Sequence, residues 1–155
     1  MVQEIISFIQ NPLLIALILG FLPISEIRGA ALYAFSVGQH WLILPAMVAN
    51  ILVAPAIMLL WNALNIPWWG KKILGKRLDE RMHSIGKRYE TRGTIALAIF
   101  IGIPLPATGV YTGTLIAELL GIDRKKTLAA VIVGVCMAAA IMYLALSGVA
   151  SGLKF

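Results

Sequence analysis

Proline breaks inside two apolar stretches constrain this chain more than any other feature of its sequence. The first stretch, 12–38, is interrupted at Pro23, and another, 94–121, is interrupted at Pro104 and Pro106. Each arm is about 10 to 13 residues long, whereas a helix needs about 20 apolar residues to cross the hydrocarbon core of a bilayer. The sequence therefore predicts two re-entrant helical hairpins, 12–38 and 94–121, instead of two ordinary transmembrane helices.

The composition assigns the chain to the membrane class. Hydrophobic residues make up 60% of the 155 residues and charged residues 13%, whereas about a quarter of the residues are charged in a typical soluble domain. Two further apolar stretches, 41–64 and 127–149, are uninterrupted and long enough to span a bilayer. We therefore predict a single transmembrane domain over 1–155, with a short interfacial helix at 2–10.

Positive charge is concentrated in one polar segment. Eight of the thirteen Lys and Arg residues lie in Lys71–Arg92, and a smaller cluster lies at 124–126. Apolar residues spaced by three and four predict an amphipathic helix over 68–92 on the membrane surface, where basic side chains attract anionic lipids. If 94–121 re-enters, both basic clusters face the cytoplasm, as the positive-inside rule favours. Both termini of this multi-pass cell-membrane protein are then predicted to be outside.

The order hairpin, span, polar segment, hairpin, span is a repeat. An odd number of crossings separates its two copies, so the second copy must be inverted in the membrane, an arrangement found in secondary transporters. The predicted fold class is an all-α integral membrane protein. It is an inverted repeat of a re-entrant hairpin plus a transmembrane helix, joined by a cytoplasmic amphipathic helix.

Two charged residues, Glu26 and Arg28, follow the first break directly. A charge at the centre of a lone transmembrane helix costs roughly 2.5 to 3.5 kcal/mol, so both side chains are expected to face a polar cavity inside the protein. Positions i and i+2 of a regular helix point about 200° apart. We therefore predict that the two residues address different partners and do not simply pair. The alternative is a structural pair that braces the hairpin tip.

The second break has no charge and is expected to contribute backbone groups. Thr108 is placed to cap the helix that follows, and Ser25 could do the same in the first hairpin. Both returning helices would then direct their N-termini towards the midplane, and together with Arg28 these N-termini favour an anionic group such as phosphate or carboxylate. Glu26 is the only acid in this predicted pocket. It is the expected proton-binding residue, because burial favours the protonated carboxyl group.

These arguments assign residues to three roles. Glu26 is assigned to proton binding. The residues assigned to substrate binding are Ser25, Arg28, Thr108, Gly109 and Tyr111, and those assigned to the hairpin tips are Pro23, Gly29, Pro104 and Pro106. Ordinary turn chemistry is the alternative for Thr108 and Gly109, and helix packing is the alternative for Tyr111. Asn50 is expected to bond carbonyl groups freed by prolines, and Glu118 to have an interface role beside Asp123 and Arg124.

Several other function classes find no support in the sequence. It has no nucleophile–base arrangement, phosphate-binding glycine loop or cluster of metal ligands, so we expect no enzyme activity, cofactor or metal site. His40 and His83 have no partner at ligand spacing, and the single cysteine, Cys136, excludes an intramolecular disulfide. No nucleic-acid recognition module surrounds the basic segment, so a nucleic-acid partner is not expected.

The segments Pro-Ile-Ser-Glu-Ile-Arg-Gly-Ala (23–30) and Pro-Leu-Pro-Ala-Thr-Gly-Val-Tyr-Thr-Gly (104–113) resemble the small multidrug export protein family. That family is distantly similar to the DedA, or VTT-domain, superfamily of membrane proteins. The resemblance covers nearly the whole chain. The residues that match the family pattern are Glu26, Arg28, Gly29, Pro104, Pro106, Thr108 and Gly109. The chain departs from the pattern at Ala107, where Gly is usual, and at Leu32, where a second proline often occurs.

The resemblance implies paired re-entrant loops and, for the superfamily, proton-coupled transport or translocation of phospholipids and undecaprenyl phosphate. Our first hypothesis is proton-coupled transport or flipping of an anionic small molecule or lipid headgroup through a midplane site. One alternative is an uncoupled lipid scramblase or membrane-organising scaffold. Another is a small multidrug exporter, as the family name suggests. A homodimer would shield the polar tips from lipid better than a single thin bundle.

Overall fold

The computed structural model describes residues 11–63, 90–105 and 108–152, and these residues form helices and their connections with no strand among them. The helices are α1 (Pro12–Phe21), α2 (Glu26–Ser36), a 3₁₀ turn (His40–Leu42), α3 (Ile43–Ala63), α4 (Glu90–Gly102), α5 (Val110–Leu120) and α6 (Arg124–Gly152). The predicted interfacial helix 2–10 and the tip residue Pro106 lie outside the described residues. So does the predicted helix 68–92, apart from its last residues, which begin α4.

Two helices have the length and composition needed to cross a membrane. These are α3 together with its preceding 3₁₀ turn, His40–Ala63, and α6 over Arg124–Ser151. They contain 24 and 28 residues, which exceeds the roughly 20 that a bilayer requires. Large apolar side chains on both helices are exposed, among them Leu44, Leu52, Leu59, Val133 and Leu144. The two uninterrupted spans predicted from the sequence are confirmed as helices, and the chain is a membrane protein.

The first broken stretch forms two short helices, and local chemistry sets the bounds of α1. The Asn11 side chain accepts a hydrogen bond from the Leu13 N–H at 3.0 Å, and Pro12 favours the first position of a helix. The helix ends at Leu22, whose backbone is extended, because a residue that precedes a proline disfavours the helical conformation. The proline break at Pro23 therefore ends α1, as the sequence predicts.

The two returning helices, α2 and α5, end in the same way. Gly38 and Gly121 follow them with φ angles of 67° and 68°, a left-handed conformation that glycine adopts readily and that commonly ends helices. Asp123 then begins α6, because its carboxylate accepts hydrogen bonds from the N–H groups of Lys125 and Lys126 at 3.0 and 3.2 Å.

Both breaks lie beside the middle of a long helix. α1 packs along α3 and α4 along α6, whereas α2 and α5 each contact both long helices. The Asn50 side-chain amide donates to the Gly20 carbonyl at 2.9 Å, so the end of α1 lies against the middle of α3. Gly102 similarly lies against Met137 near the middle of α6, where an added methyl group would come within 3.0 Å of the Met137 side chain.

Small side chains allow the helices around the first break to approach closely. The apolar cluster that joins α1, α2, α3 and α6 consists mainly of alanines: Ala16, Ala30, Ala31, Ala34, Ala46, Ala138 and Ala139. Small residues at helix contacts are the usual means of close packing inside a membrane, where burial from water supplies no driving force. This packing places the start of α2 deep among the other helices.

Candidate functional site

Glu26 begins α2 and is buried, with only 4% of its surface exposed. Its carboxylate accepts hydrogen bonds from the backbone N–H groups of Val110 and Tyr111, the first two residues of α5. These N–H groups have no partner within their own helix, and the positive end of a helix dipole favours a negative charge. An acid from the first broken stretch therefore caps a helix of the second.

The backbone of Glu26 has a φ angle of 49°, in the left-handed region, and no other non-glycine residue among those described has a positive φ. This conformation costs about 1 to 3 kcal/mol for such a residue and occurs more often at functional sites than elsewhere. It also brings Glu26 and Arg28 close enough for an ion pair, which the prediction that they do not simply pair did not include. The i, i+2 rule assumes a regular helix, but here Arg28 Nη2 lies 3.6 Å from Glu26 Oε2.

The absence of a side chain at Gly109 makes room for the Glu26 carboxylate. A methyl group built at Gly109 would overlap this carboxylate. The Gly109 backbone is extended, with φ −164°, so any residue could adopt it and the requirement for glycine is one of space. Ordinary turn chemistry, the alternative considered for Gly109, therefore does not account for the residue.

Arg28 connects the two breaks. Its Nη1 group donates a hydrogen bond to the Leu105 carbonyl oxygen, which belongs to the second break. This carbonyl also accepts from the Thr108 N–H at 3.2 Å, so Arg28 adds a partner from the first broken stretch to one within the second break. The prediction that Glu26 and Arg28 address different partners is consistent with these contacts, because Glu26 accepts from the start of α5 and Arg28 donates to Leu105.

The predicted capping roles of Thr108 and Ser25 are wrong. Neither side chain caps the helix that follows it. The Thr108 hydroxyl lies 2.7 Å from the Ile103 carbonyl and 2.8 Å from the Leu105 carbonyl, so it bridges groups within its own break. The Ser25 hydroxyl donates to the Leu19 carbonyl in α1. Both hydroxyls bond to backbone carbonyls at or near helix ends, and Glu26 caps α5 instead.

Two further side chains bond to the end of α1. The Tyr111 hydroxyl donates to the Phe21 carbonyl, and the Asn50 amide donates to the Gly20 carbonyl. The expectation that Asn50 bonds a freed carbonyl is consistent with this geometry. The tyrosine contact could not be predicted from the sequence, because Phe21 and Tyr111 are 90 positions apart.

A closed pocket and an open cleft meet at Arg28. The pocket is lined by Glu26, Ile27, Arg28, Asn50, Ile101, Pro104, Thr108, Val135 and Ala138, and it is packed too tightly to admit a water molecule. The open cleft has a volume of about 550 Å³ and is lined by Pro23, Ile24, Ser25, Arg28, Gly29, Leu32 and Pro104. Arg28 and Pro104 line both spaces, so the guanidinium group lies between the cleft and the buried carboxylate.

Among the described residues, the structure thus brings predicted site residues of both broken stretches together. Glu26, Arg28 and Thr108 line one pocket, and Ser25, Arg28, Gly29 and Pro104 line or border the cleft. The α5 N-terminus, expected to receive a substrate anion, instead holds Glu26. Arg28 is the cationic group that faces the cleft among the described residues. Within the described residues, no group of three or more His, Cys, Asp or Glu side chains could hold a metal ion.

A second ion pair lies at the far end of α5. Arg124 Nε lies 3.0 Å from Glu118 Oε1, and the Arg124 guanidinium also donates to the Asn62 side chain at 2.8 Å. These contacts join the ends of α3 and α5 to the start of α6. The expected interface role of Glu118 is consistent with this position, whereas the contribution of Asn62 had no signal in the sequence.

We expect Arg124→Ala to lower the free energy of unfolding by less than about 1 kcal/mol, because the Arg124 side chain is 44% exposed and ion pairs in contact with water contribute little. Thermal unfolding of the purified protein in detergent at low and high salt would measure this effect. A larger loss that persists at high salt would show that the pair is effectively buried.

Comparison with known proteins gives one match. The family described as "Putative small multi-drug export protein" matches residues 26–141, which is more than half of the chain and includes α2, α3 and the second break. No curated protein and no solved structure matches the chain.

Proposed function

Since this chain belongs to the small multi-drug export family, we propose that it transports a small molecule across the membrane and couples transport to a proton bound at Glu26. One observation carries the proposal. A buried carboxylate holds the two broken stretches together, and Arg28 and Pro104 line both its pocket and an open cleft. A group that binds a proton there changes the contact between the two halves.

We propose that the broken stretches are re-entrant hairpins in an inverted repeat. The contacts support this reading, because each break lies beside the middle of a long helix and both returning helices end at a left-handed glycine. The first arms pack on the long helix of their own half, and the returning arms contact both long helices. Four features stay predictions: the cytoplasmic position of 68–92, its attraction to anionic lipids, the external position of both termini, and the homodimer.

The proposed substrate carries an anionic group. Arg28 faces the cleft, and a guanidinium group binds phosphate or carboxylate well because its donors form a planar fork. The carboxylate that a drug cation would need is buried and already bonded to Arg28 and the start of α5. The anionic group can belong to a small molecule or to a lipid headgroup, as in the DedA-like reading of the sequence.

In the proposed cycle, protonation weakens the link between the halves. The charged Glu26 carboxylate holds Arg28 and the α5 N–H groups. A neutral carboxyl group accepts these hydrogen bonds more weakly, because bonds to an ionised acceptor are roughly twice as strong. Arg28 is then released to an anionic substrate, and α5 can move relative to α2. Loss of the proton restores the closed arrangement.

Glu26→Gln tests the coupling. The protein is reconstituted into vesicles with an internal pH dye, and uptake is followed with three fluorescent probes: a sulfonated anion, a short-chain phosphatidylglycerol and the cation ethidium. We expect the wild type to move an anionic probe together with a proton signal, and the glutamine variant to give no proton signal because it cannot titrate.

The probes separate the alternatives. Equal proton signals from the wild type and Glu26→Gln would exclude Glu26 as the proton carrier. Movement of phosphatidylglycerol alone, at a rate independent of pH in both proteins, would indicate an uncoupled scramblase. Proton-coupled movement of ethidium alone would indicate a drug-cation exporter and contradict the anionic substrate.

A further inference from the structure

Asn50 has a buried oxygen atom that no group in the described structure satisfies. The side chain lies in the middle of α3 and is 1% exposed. Its Nδ2 donates to the Gly20 carbonyl, whereas its Oδ1 has no hydrogen-bond partner among the described residues. A backbone carbonyl can only accept, so the Gly20 contact fixes which end of the amide carries the nitrogen. A buried acceptor without a donor is rare and calls for an explanation.

The neighbours of Asn50 limit what could satisfy this oxygen. Asn50 lines the same closed pocket as Glu26, Arg28 and Thr108, and the pocket has no room for a water molecule. The Thr108 hydroxyl is directed to carbonyls of its own break, and Arg28 donates to Leu105 and pairs with Glu26. A charged Glu26 has no hydrogen to donate. A protonated Glu26 has one.

We propose that Asn50 Oδ1 accepts the hydrogen bond of protonated Glu26, so that the two residues form the proton-binding site. This inference rests on the proposed proton coupling at Glu26 and adds the residue that stabilises the proton-bound state. A proton from the cleft binds the carboxylate, and the resulting O–H turns from the α5 N–H groups to Asn50. When the proton leaves, the carboxylate returns to Val110 and Tyr111, and Asn50 Oδ1 is again without a donor.

The remaining surroundings of Glu26 offer few competing groups. On its own helix the charged neighbour is Arg28, and α5 contributes Tyr111. α1 and α3 contain no Asp, Glu, Lys or Arg, and α6 contributes only Val135 and Ala138 to the pocket. The second break contributes Pro104 and Thr108. Asn50 is therefore the uncharged side-chain acceptor without a partner among the described groups that line this pocket.

The test is an infrared titration of the protein in lipid nanodiscs. The band of the protonated Glu26 carboxyl group is identified by its loss in Glu26→Gln, and its intensity is followed against pH. We expect Asn50→Leu to lower the midpoint by about half to one pH unit, the shift expected from the loss of one hydrogen bond. The midpoint falls because Asn50→Leu removes the acceptor that stabilises the protonated carboxyl group. It also removes a partial negative charge from beside the carboxylate.

A matched control comes from Thr114, whose hydroxyl is also buried and without a partner among the described residues but does not line the pocket. Thr114→Val is expected to leave the midpoint unchanged. An unchanged midpoint in Asn50→Leu, with the fold intact by thermal unfolding, would overturn the proposal for Asn50 while leaving coupling at Glu26 in place. A titrating band that persists in Glu26→Gln would instead overturn the proposed function.

A second measurement uses the wild type alone, so it does not depend on whether Asn50→Leu folds. The asparagine side-chain amides are labelled with ¹³C, and infrared spectra at low and high pH are subtracted. We expect an asparagine carbonyl band to shift to lower frequency with the same midpoint as the Glu26 carboxyl band, because its oxygen begins to accept a hydrogen bond. A difference spectrum with no asparagine band would contradict the proposal.

Discussion

Gly109→Ala is expected to lower the free energy of unfolding by about 2 to 4 kcal/mol, the value for losing charge-assisted hydrogen bonds, and to abolish proton-coupled transport. The added methyl group would occupy the space of the Glu26 carboxylate. That carboxylate is buried, so moving it removes the partners of the Val110 and Tyr111 N–H groups and leaves a charge in an apolar region. Thermal unfolding in detergent and the vesicle assay measure the two effects.

The control for Gly109→Ala is Gly148→Ala. Gly148 lies inside α6, and a methyl group added there would meet nothing within 4 Å. Alanine is the better helix former by about 1 kcal/mol, so this variant should be as stable as the wild type or more stable. A double-mutant cycle with Glu26→Ala then isolates the clash. If Gly109→Ala is equally harmful when Glu26 has been replaced, the carboxylate is not the group that requires glycine.

The elements of the fold could be predicted from the sequence because their signals are local. Long hydrophobic runs predict α3 and α6, a proline at position 23 ends α1, and glycines end α2 and α5. Each of these features depends on residues within a few positions of one another. The sequence also identifies Glu26 and Arg28 as candidates, because charges are costly at membrane depth.

The contacts of the site could not be predicted in the same way. Glu26 caps a helix that begins 84 positions later in the chain (110 minus 26), and no local pattern encodes a cap supplied by another element. Thr108 and Ser25 have the residue types of helix caps, but the structure uses their hydroxyls for carbonyls of the breaks. The unpartnered oxygen of Asn50 is a property of packing, since a sequence does not show which buried atoms lack a donor.

We expect Arg28→Ala to lower the free energy of unfolding by about 2 to 4 kcal/mol. Breaking a fully buried ion pair costs about 3 to 5 kcal/mol, and the loss here should be somewhat smaller because the Arg28 side chain is 18% exposed. The variant removes the hydrogen bond that links the first break to the Leu105 carbonyl and leaves Glu26 without its counter-charge. The same change should reverse the probe preference in the vesicle assay. Transport of the sulfonated anion and of phosphatidylglycerol should slow, and transport of ethidium should become faster. The reason is that the variant removes the cation that faces the cleft and keeps the Glu26 carboxylate behind it.

Two companion variants separate charge from structure in this prediction. Arg28→Lys keeps the charge but has no planar fork, so it cannot reproduce both the Leu105 contact and the ion pair, and we expect intermediate transport with the anionic preference kept. Glu26→Gln combined with Arg28→Ala removes the uncompensated charge and should be more stable than Arg28→Ala alone. Arg28→Ala could instead slow transport of all three probes equally, with the double variant no more stable than Arg28→Ala alone. That result would show that Arg28 serves only to hold the two breaks together, and it would contradict the proposal of an anionic substrate.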